Sequence, residues 1–192
     1  MNIPAPQFAE MEVEIEGITP LITRPFLGKA REEMGAKQRG EVVVRGKKNP
    51  KAEYLESFYT RKGKRIAGIP GAGIKKACVT ACSQVDGITK VVARGAFHIL
   101  ADIVEVKAGK PEMREDPVRL PKTGVADLRY RPAFFPWSAK IRVMYNENVI
   151  TPAQICHLMN TAGFAVGVCE WRPEKGGTMG MFKVKGVPKK RR

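Results

Sequence analysis

The stretch Ile66-Ala67-Gly68-Ile69-Pro70-Gly71-Ala72-Gly73-Ile74-Lys75-Lys76 decides how this chain folds. Pro70 and the glycines interrupt whatever precedes them. Beyond Gly73 the residues up to Gln84 are rich in Ala, Lys and Ile without a breaker, so the spacing predicts a helix over 72–84. The first turn of such a helix exposes backbone N–H groups that lack intrahelical partners, and Lys75 and Lys76 follow closely, which suits an anion. Many helices begin behind a glycine turn, so this start is not by itself a site.

Upstream, Met11, Val13 and Ile15 alternate with Glu10, Glu12, Glu14 and Glu16 over Phe8–Gly17, the period of a half-buried strand. Gly17 to Pro20 end it. Residues 24–65 then carry thirteen Lys and Arg against five Glu. This basic insertion is interrupted by glycines and by the turn signal Asn49-Pro50, and Lys29–Gln38 and Lys51–Thr60 are its candidate helices. Tyr54, Leu55, Phe58 and Tyr59 share one face of the second. A long basic excursion between core elements is functional more often than structural, although a solvated loop would look the same.

Downstream, Arg94–Val106 reads as a strand, or as two with a bend, and Lys107–Arg131 as an extended hairpin or loop. Arg129, Tyr130, Arg131, Phe134, Phe135 and Trp137 interleave cations with aromatics, as phosphate contact plus base stacking requires. The same aromatics could equally cap a core. Lys140–Tyr145 alternates as a strand. Thr151-Pro152 opens a second helix, which passes Ile155, Leu158 and Met159 to Gly163. Phe164–Trp171 is apolar and β-like. A glycine-rich loop through Gly176, Gly177 and Gly180 leads to a last strand, Met181–Lys185, and residues 187–192 form a loose basic tail.

Composition narrows the function. The 192 residues carry 34 Lys and Arg against 19 Asp and Glu, a net charge of +15 and a pI near 9.9. Such a surface attracts polyanions. No basic amphipathic helix with a Trp, Phe and Leu face points to a membrane surface, and the longest apolar runs fall far short of the roughly 20 residues that cross a bilayer. The first residues lack the pattern of a signal peptide, so a cytoplasmic location is expected. Cys78 and Cys82 lie four apart while Cys156 and Cys169 are scattered. That lacks the paired spacing of a zinc site, and buried thiols acting as small apolar residues are the expectation. Neither metal nor cofactor is expected.

The order strand, basic insertion, helix, strand or hairpin, strand, helix, glycine-rich loop, strand is α+β. Without the insertion it is the ferredoxin-like β-α-β-β-α-β plan, one domain over 1–192. RNA-recognition modules share that plan, but their aromatic signature is missing here.

Three stretches in order resemble the RAMP superfamily, whose members form the backbone of CRISPR effector complexes. Gly17-Ile18-Thr19-Pro20-Leu21 is similar to that family's first strand and turn. Ile69-Pro70-Gly71-Ala72-Gly73-Ile74-Lys75-Lys76 is similar to its Ile-Pro-Gly-Ser-Ser-Leu-Lys-Gly helix start, with Ala72 and Gly73 in place of the serines. Gly163–Gly180 resembles its glycine-rich loop, with the acidic departure Glu170-Trp171-Arg172-Pro173-Glu174. The resemblance covers about a third of the chain by motif. It implies an RNA- or single-strand-binding protomer able to polymerise, as the family's backbone subunits stack side by side along a guide RNA.

The expected function is therefore single-stranded RNA or DNA binding within a homo-oligomer or multi-subunit nucleoprotein. Phosphate contacts are expected from Arg24, Lys29, Arg31, Lys37, Arg39, Arg45, Lys47, Lys48, Arg61, Lys62, Lys64 and Arg65 of the insertion, from Lys75 and Lys76, and from Arg129, Arg131, Arg172 and Lys175. Tyr130 and Trp137 are expected to stack bases, and the Gly176–Gly180 loop to let the strand approach the backbone. No catalytic residue is expected: His98 falls mid-strand as a core or sheet-surface residue, His157 lies on a helix beside Cys156, no Ser or Cys nucleophile has an evident partner by spacing, and Asp102, Asp116 and Asp127 are unclustered in sequence. A RAMP-like endoribonuclease, a single-stranded-DNA-binding protein of a mobile element or phage, and an assembly protein with an acidic partner are the competing readings.

Overall fold

Alternating acids and aliphatics build β1 (Phe8–Gly17), with Met11, Val13 and Ile15 buried. This computed structural model describes residues 5–26, 28–42, 48–119 and 124–191, with the backbone alone for 28–31 and 187–191. Arg45 and Lys47 lie outside the described residues.

The basic insertion is folded. After β2 (Leu21–Ile22) come α1 (Gly28–Gln38), α2 (Pro50–Glu56) and the hairpin of β3 (Tyr59–Arg61) and β4 (Lys64–Ile66). The expected helix over Lys51–Thr60 is shorter: the N–H and the Oγ of Ser57 both donate to the Glu53 carbonyl and close it, and Tyr59 opens β3.

β5 (Gly68–Pro70) runs directly into α3 (Gly71–Ala81), and α4 (Lys90–Ala96) follows. The next strand is split on one edge of its partner. β6 (Phe97–Ile99) and β7 (Ile103–Ala108) take opposite halves of β10 (Trp137–Asn146), after the excursion of β8 (Glu112–Arg119) and β9 (Ala126–Phe134). α5 (Pro152–Ala165) and β11 (Phe182–Arg191) complete the chain.

The main antiparallel sheet runs β11-β1-β10-β7-β5, with β6 also on β10. Reduced to β1, α3, the β6/β7 pair, β10, α5 and β11, this is the ferredoxin-like plan. One face is covered by α3, which buries Ile74, Ala77, Cys78 and Ala81, and by α5, which buries Ile155, Leu158, Met159 and Ala162. These helical spacings put one stripe of each helix on the sheet residues Val13, Ile15, Ile141 and Val143.

The other face of β1 carries an ion-pair ladder. Glu10 meets Arg142 at 3.0 Å and Glu12 meets Lys140 at 3.7 Å, while Glu14 meets Lys185 at 3.8 Å and Glu16 meets Lys183 at 3.0 Å. A smaller sheet, β2-β9-β8, carries α2 on β9. There Tyr54, Phe58 and Phe134 form an edge-to-face chain with centroids 5.2 and 5.7 Å apart.

Two expectations are corrected at the C-terminal end. Phe164–Trp171 is not a strand: α5 runs on to Ala165, and the N–H groups of Val166 and Gly167 both donate to the Ala162 carbonyl. The apolar character of the segment is used by Val166 and Val168, which pack into the core from a turn. The tail is not loose, because β11 continues on β1 up to the pairing Glu10↔Arg191. Pro188 is compatible with this because β11 is an edge strand.

Candidate nucleic-acid interface

Gly71 shows why the quoted stretch must read as it does. Its N–H donates to the Asp102 carbonyl at 2.8 Å, and a Cβ there would overlap the Ala101 carbonyl. The turn into α3 thus rests on the link between β6 and β7. This also uses a backbone donor that the sequence reserved for an anion.

Next to that turn lies a cleft of about 200 Å³. It is bounded by Pro70, Gly73 and Lys76 of the α3 start, by Arg24 and Tyr59 of the insertion, and by Gly167, Glu170, Arg172 and Glu174 of the loop after α5. Segments separated by up to 150 positions therefore meet at one place. Glu170 and Arg172 also border a second groove of about 540 Å³, whose opposite wall is Pro117, Val118 and Arg119 of β8 and which includes Trp171 and Lys175.

The glycine-rich loop between them is folded on itself. Gly180 donates to the Pro20 carbonyl and accepts from the Val168 N–H. A Cβ at Gly177 would overlap the Trp171 carbonyl, and one at Gly180 the Val168 carbonyl. These two glycines serve close packing within the loop, not the approach of an external strand. Gly176, with φ 77°, has open space around its Cβ position.

The predicted cations divide by what they touch. The side chains of Lys76 and Lys175 at the two cavities, and of Lys62 and Lys64 on the β3–β4 hairpin, are exposed and make no hydrogen bond or salt bridge among the described residues. Lys37 is exposed in the last turn of α1, and Lys29 and Arg31 lie on the backbone of that helix.

Others are engaged at the surface. Arg39 pairs with Glu41 at 2.6 Å and Arg61 with Glu105 at 3.0 Å, and Arg65 donates to the Leu55 carbonyl at 3.2 Å. Arg172 holds Glu174 at 2.7 Å, and its hydrogen bond keeps that carboxyl below its ordinary value. Around Glu53, which is partly buried, gather Arg24 at 4.0 Å, Lys48 at 3.6 Å and Arg129 at 3.6 Å. Lys48 and Arg129 also hold Asp127, at 2.5 and 2.8 Å. Burial, with Arg129 nearby, lowers the Arg24 pKa.

Three of the expected contacts are displaced. Arg131 is 1% exposed and paired with Asp116 and Glu170, so it belongs to the interior of the hairpin layer. Lys75 is half-buried over the Phe97 ring and donates to the carbonyls of Ala93 and Phe97 at the end of α4. Trp137 is 3% exposed, and its Nε1–H donates to the Thr19 carbonyl at 2.8 Å. Its indole fills the space a Cβ would need at Gly17, so it closes the core instead of stacking a base. Tyr130 is half-buried on β9, opposite Glu115. Arg119, which the sequence reading passed over as part of a polar loop, is exposed on the second groove. Only its place opposite the glycine-rich loop singles it out.

His98 is exposed on β6 opposite Met144, and His157 is exposed on α5. Among the described residues no three His, Cys, Asp or Glu side chains gather as a metal site, and all four cysteines are free thiols. No helix among the described residues is long and apolar enough to cross a membrane.

No protein-family model matches the chain, and no curated protein matches it. Solved structures do. A chain of the type III-B Cmr-beta bound to cognate target RNA superposes with a TM-score of 0.55 at 14% identity, over 96% of this chain and 61% of that one. Cmr6 from Pyrococcus furiosus superposes with a TM-score of 0.50 at 10% identity, over 93% of this chain and 99% of that one. This chain thus spans about 61% of the length of the first. The α+β fold expected from the RAMP resemblance is the fold shared with these subunits.

Proposed function

We propose that this chain is a single-stranded-RNA-binding protomer of a multi-subunit ribonucleoprotein, and that it holds RNA without cleaving it. The observation that carries the reading is the meeting of the α3 start, the basic insertion and the glycine-rich loop at one cleft, which shares Glu170 and Arg172 with a second groove that Arg119 and Lys175 line. The family resemblance rested on separate pieces of sequence, and folding gathers two of those pieces beside Lys76, Arg119 and Lys175. Exposed cations without close partners suit phosphates, because each neutralised phosphate releases counterions. The shared fold supports RNA as the ligand, since one of the two subunits comes from a complex described as bound to target RNA.

The sheet's outer face is a poor alternative platform. Its acids on β1 already pair with the bases of β10 and β11, and of the aromatics on β1 and β10 only Phe8, at the start of β1, is exposed, where RNA-recognition sheets stack two or three bases on theirs.

The test is binding of the purified protein to matched single-stranded RNA, single-stranded DNA and duplex DNA at about 50 and 200 mM salt, with particle size followed. Preference for single-stranded RNA, growth of the particle on RNA, and intact RNA after incubation are expected. Equal affinity for an unrelated polyanion, or cleavage that His98→Ala abolishes, would sink the reading.

A further inference from the structure

Trp171 is 41% exposed, yet its backbone sits at φ 53°, a region that bulky side chains seldom occupy. The loop holds it there. The Met179 N–H donates to the Trp171 carbonyl at 2.9 Å, Gly177 leaves room for that carbonyl, and the N–H groups of Lys175 and Gly177 close on the Arg172 carbonyl at 2.9 and 3.2 Å. Core packing in this segment is done by Val166 and Val168, which are 4% and 2% exposed. An unfavourable backbone angle therefore sets a large aromatic at the surface.

The surroundings say what the ring would meet. It borders the groove of about 540 Å³ between the loop and β8, with Arg119 and Lys175 exposed beside it. The side chains of those two cations make no hydrogen bond or salt bridge among the described residues, whereas Arg131 and Arg172 on the same groove are held by Asp116, Glu170 and Glu174. An acidic peptide would satisfy the cations but would not call for a flat apolar ring. A nucleotide uses both, its base on the ring and its phosphates on the cations.

We propose that Trp171 is a base-stacking platform, and that the groove between the glycine-rich loop and β8 takes one unstacked nucleobase with its flanking phosphates on Arg119 and Lys175. This rests on the RNA-binding reading above and gives it a subsite.

The chain's two tryptophans make the test direct, because Trp137 is 3% exposed and Trp171 is 41% exposed. A short single-stranded RNA is titrated while two signals are followed: anisotropy of a label on the RNA, which reports binding, and tryptophan emission with iodide access, which reports Trp171. RNA should quench the emission and shield it from iodide. Trp171→Phe should lose that response yet bind within about threefold of wild type. Trp171→Asn, whose side chain tolerates the left-handed backbone, should bind about tenfold more weakly with an unchanged melting temperature.

Binding by anisotropy with no change in emission would overturn the platform and leave the RNA reading standing. So would Trp171→Asn binding like wild type, or melting well below it. Absence of any RNA binding would overturn both.

Discussion

Arg131 donates to Asp116 Oδ2 at 2.9 Å and to Glu170 Oε2 at 3.0 Å while only 1% exposed, and its Nε has no partner. Placing a guanidinium there costs solvation, which its two carboxylates offset. Asp116→Ala leaves the buried guanidinium with Glu170 alone, so stability should fall by about 1–3 kcal/mol in urea unfolding. A buried thiol on α3 gives a pH signature. Burial is the main reason the Cys78 thiol is raised from its ordinary 9.0 to about 12. Above pH 9 the unfolded chain therefore loses a proton that the folded chain keeps, so this group's contribution to stability falls as pH rises, while that of Lys75, which burial lowers to about 8, rises over the same range. Between pH 8 and 10 this one group should cost about 1.4 kcal/mol. Between those pH values Cys78→Ala should gain about that amount relative to wild type, read from urea midpoints at each pH.

At the scale of elements, α3 and α5 are fixed by their ends. Thr151 Oγ1 accepts the Gln154 N–H at 3.3 Å, and Gln154 Oε1 accepts the Thr151 N–H at 2.9 Å, a reciprocal cap. Thr151→Ala should therefore cost about 1 kcal/mol in chemical denaturation. At the start of α3 the constraint is space. Gly71→Ala would push a methyl into the Ala101 carbonyl, and a loss of at least about 1–3 kcal/mol is expected in the same assay. Both helix starts were legible in sequence, because a cap and a glycine turn are local chemistry. The break of one strand into β6 and β7 was legible only as a bend. What separates them is that each half pairs with a different part of β10.

Across the whole molecule the charge is unevenly used. Acids and bases on the outer face of the main sheet offset one another, whereas the side chains of Lys62, Lys64, Lys76, Arg119 and Lys175 are exposed and make no salt bridge among the described residues. RNA affinity should fall more than about threefold between 50 and 200 mM salt. Arg119→Gln and Lys175→Gln should each reduce the steepness of a log–log salt plot by about one. Lys183→Gln, from the ladder, should leave that slope unchanged in the same titrations.

The sequence by itself determined the plan: alternation marked β1 and β10, a breaker-free stretch behind a glycine turn marked α3, the Thr151-Pro152 opening marked α5, and their order marked the ferredoxin-like arrangement. These are patterns of near neighbours, and they survive whatever the rest of the chain does. It also determined the net charge, which is a sum and needs no geometry. Which cations stay available was decided only in the tertiary structure. Arg131 and Arg119 are indistinguishable as letters, yet one is paired inside the hairpin layer and the other faces the groove. The same holds for the aromatics. Trp137 fell in a strand position that points into the core, and Trp171 in a turn held open by glycines and backbone hydrogen bonds. Burial is a property of what packs against a residue, and those partners lie more than a hundred positions away for Trp137.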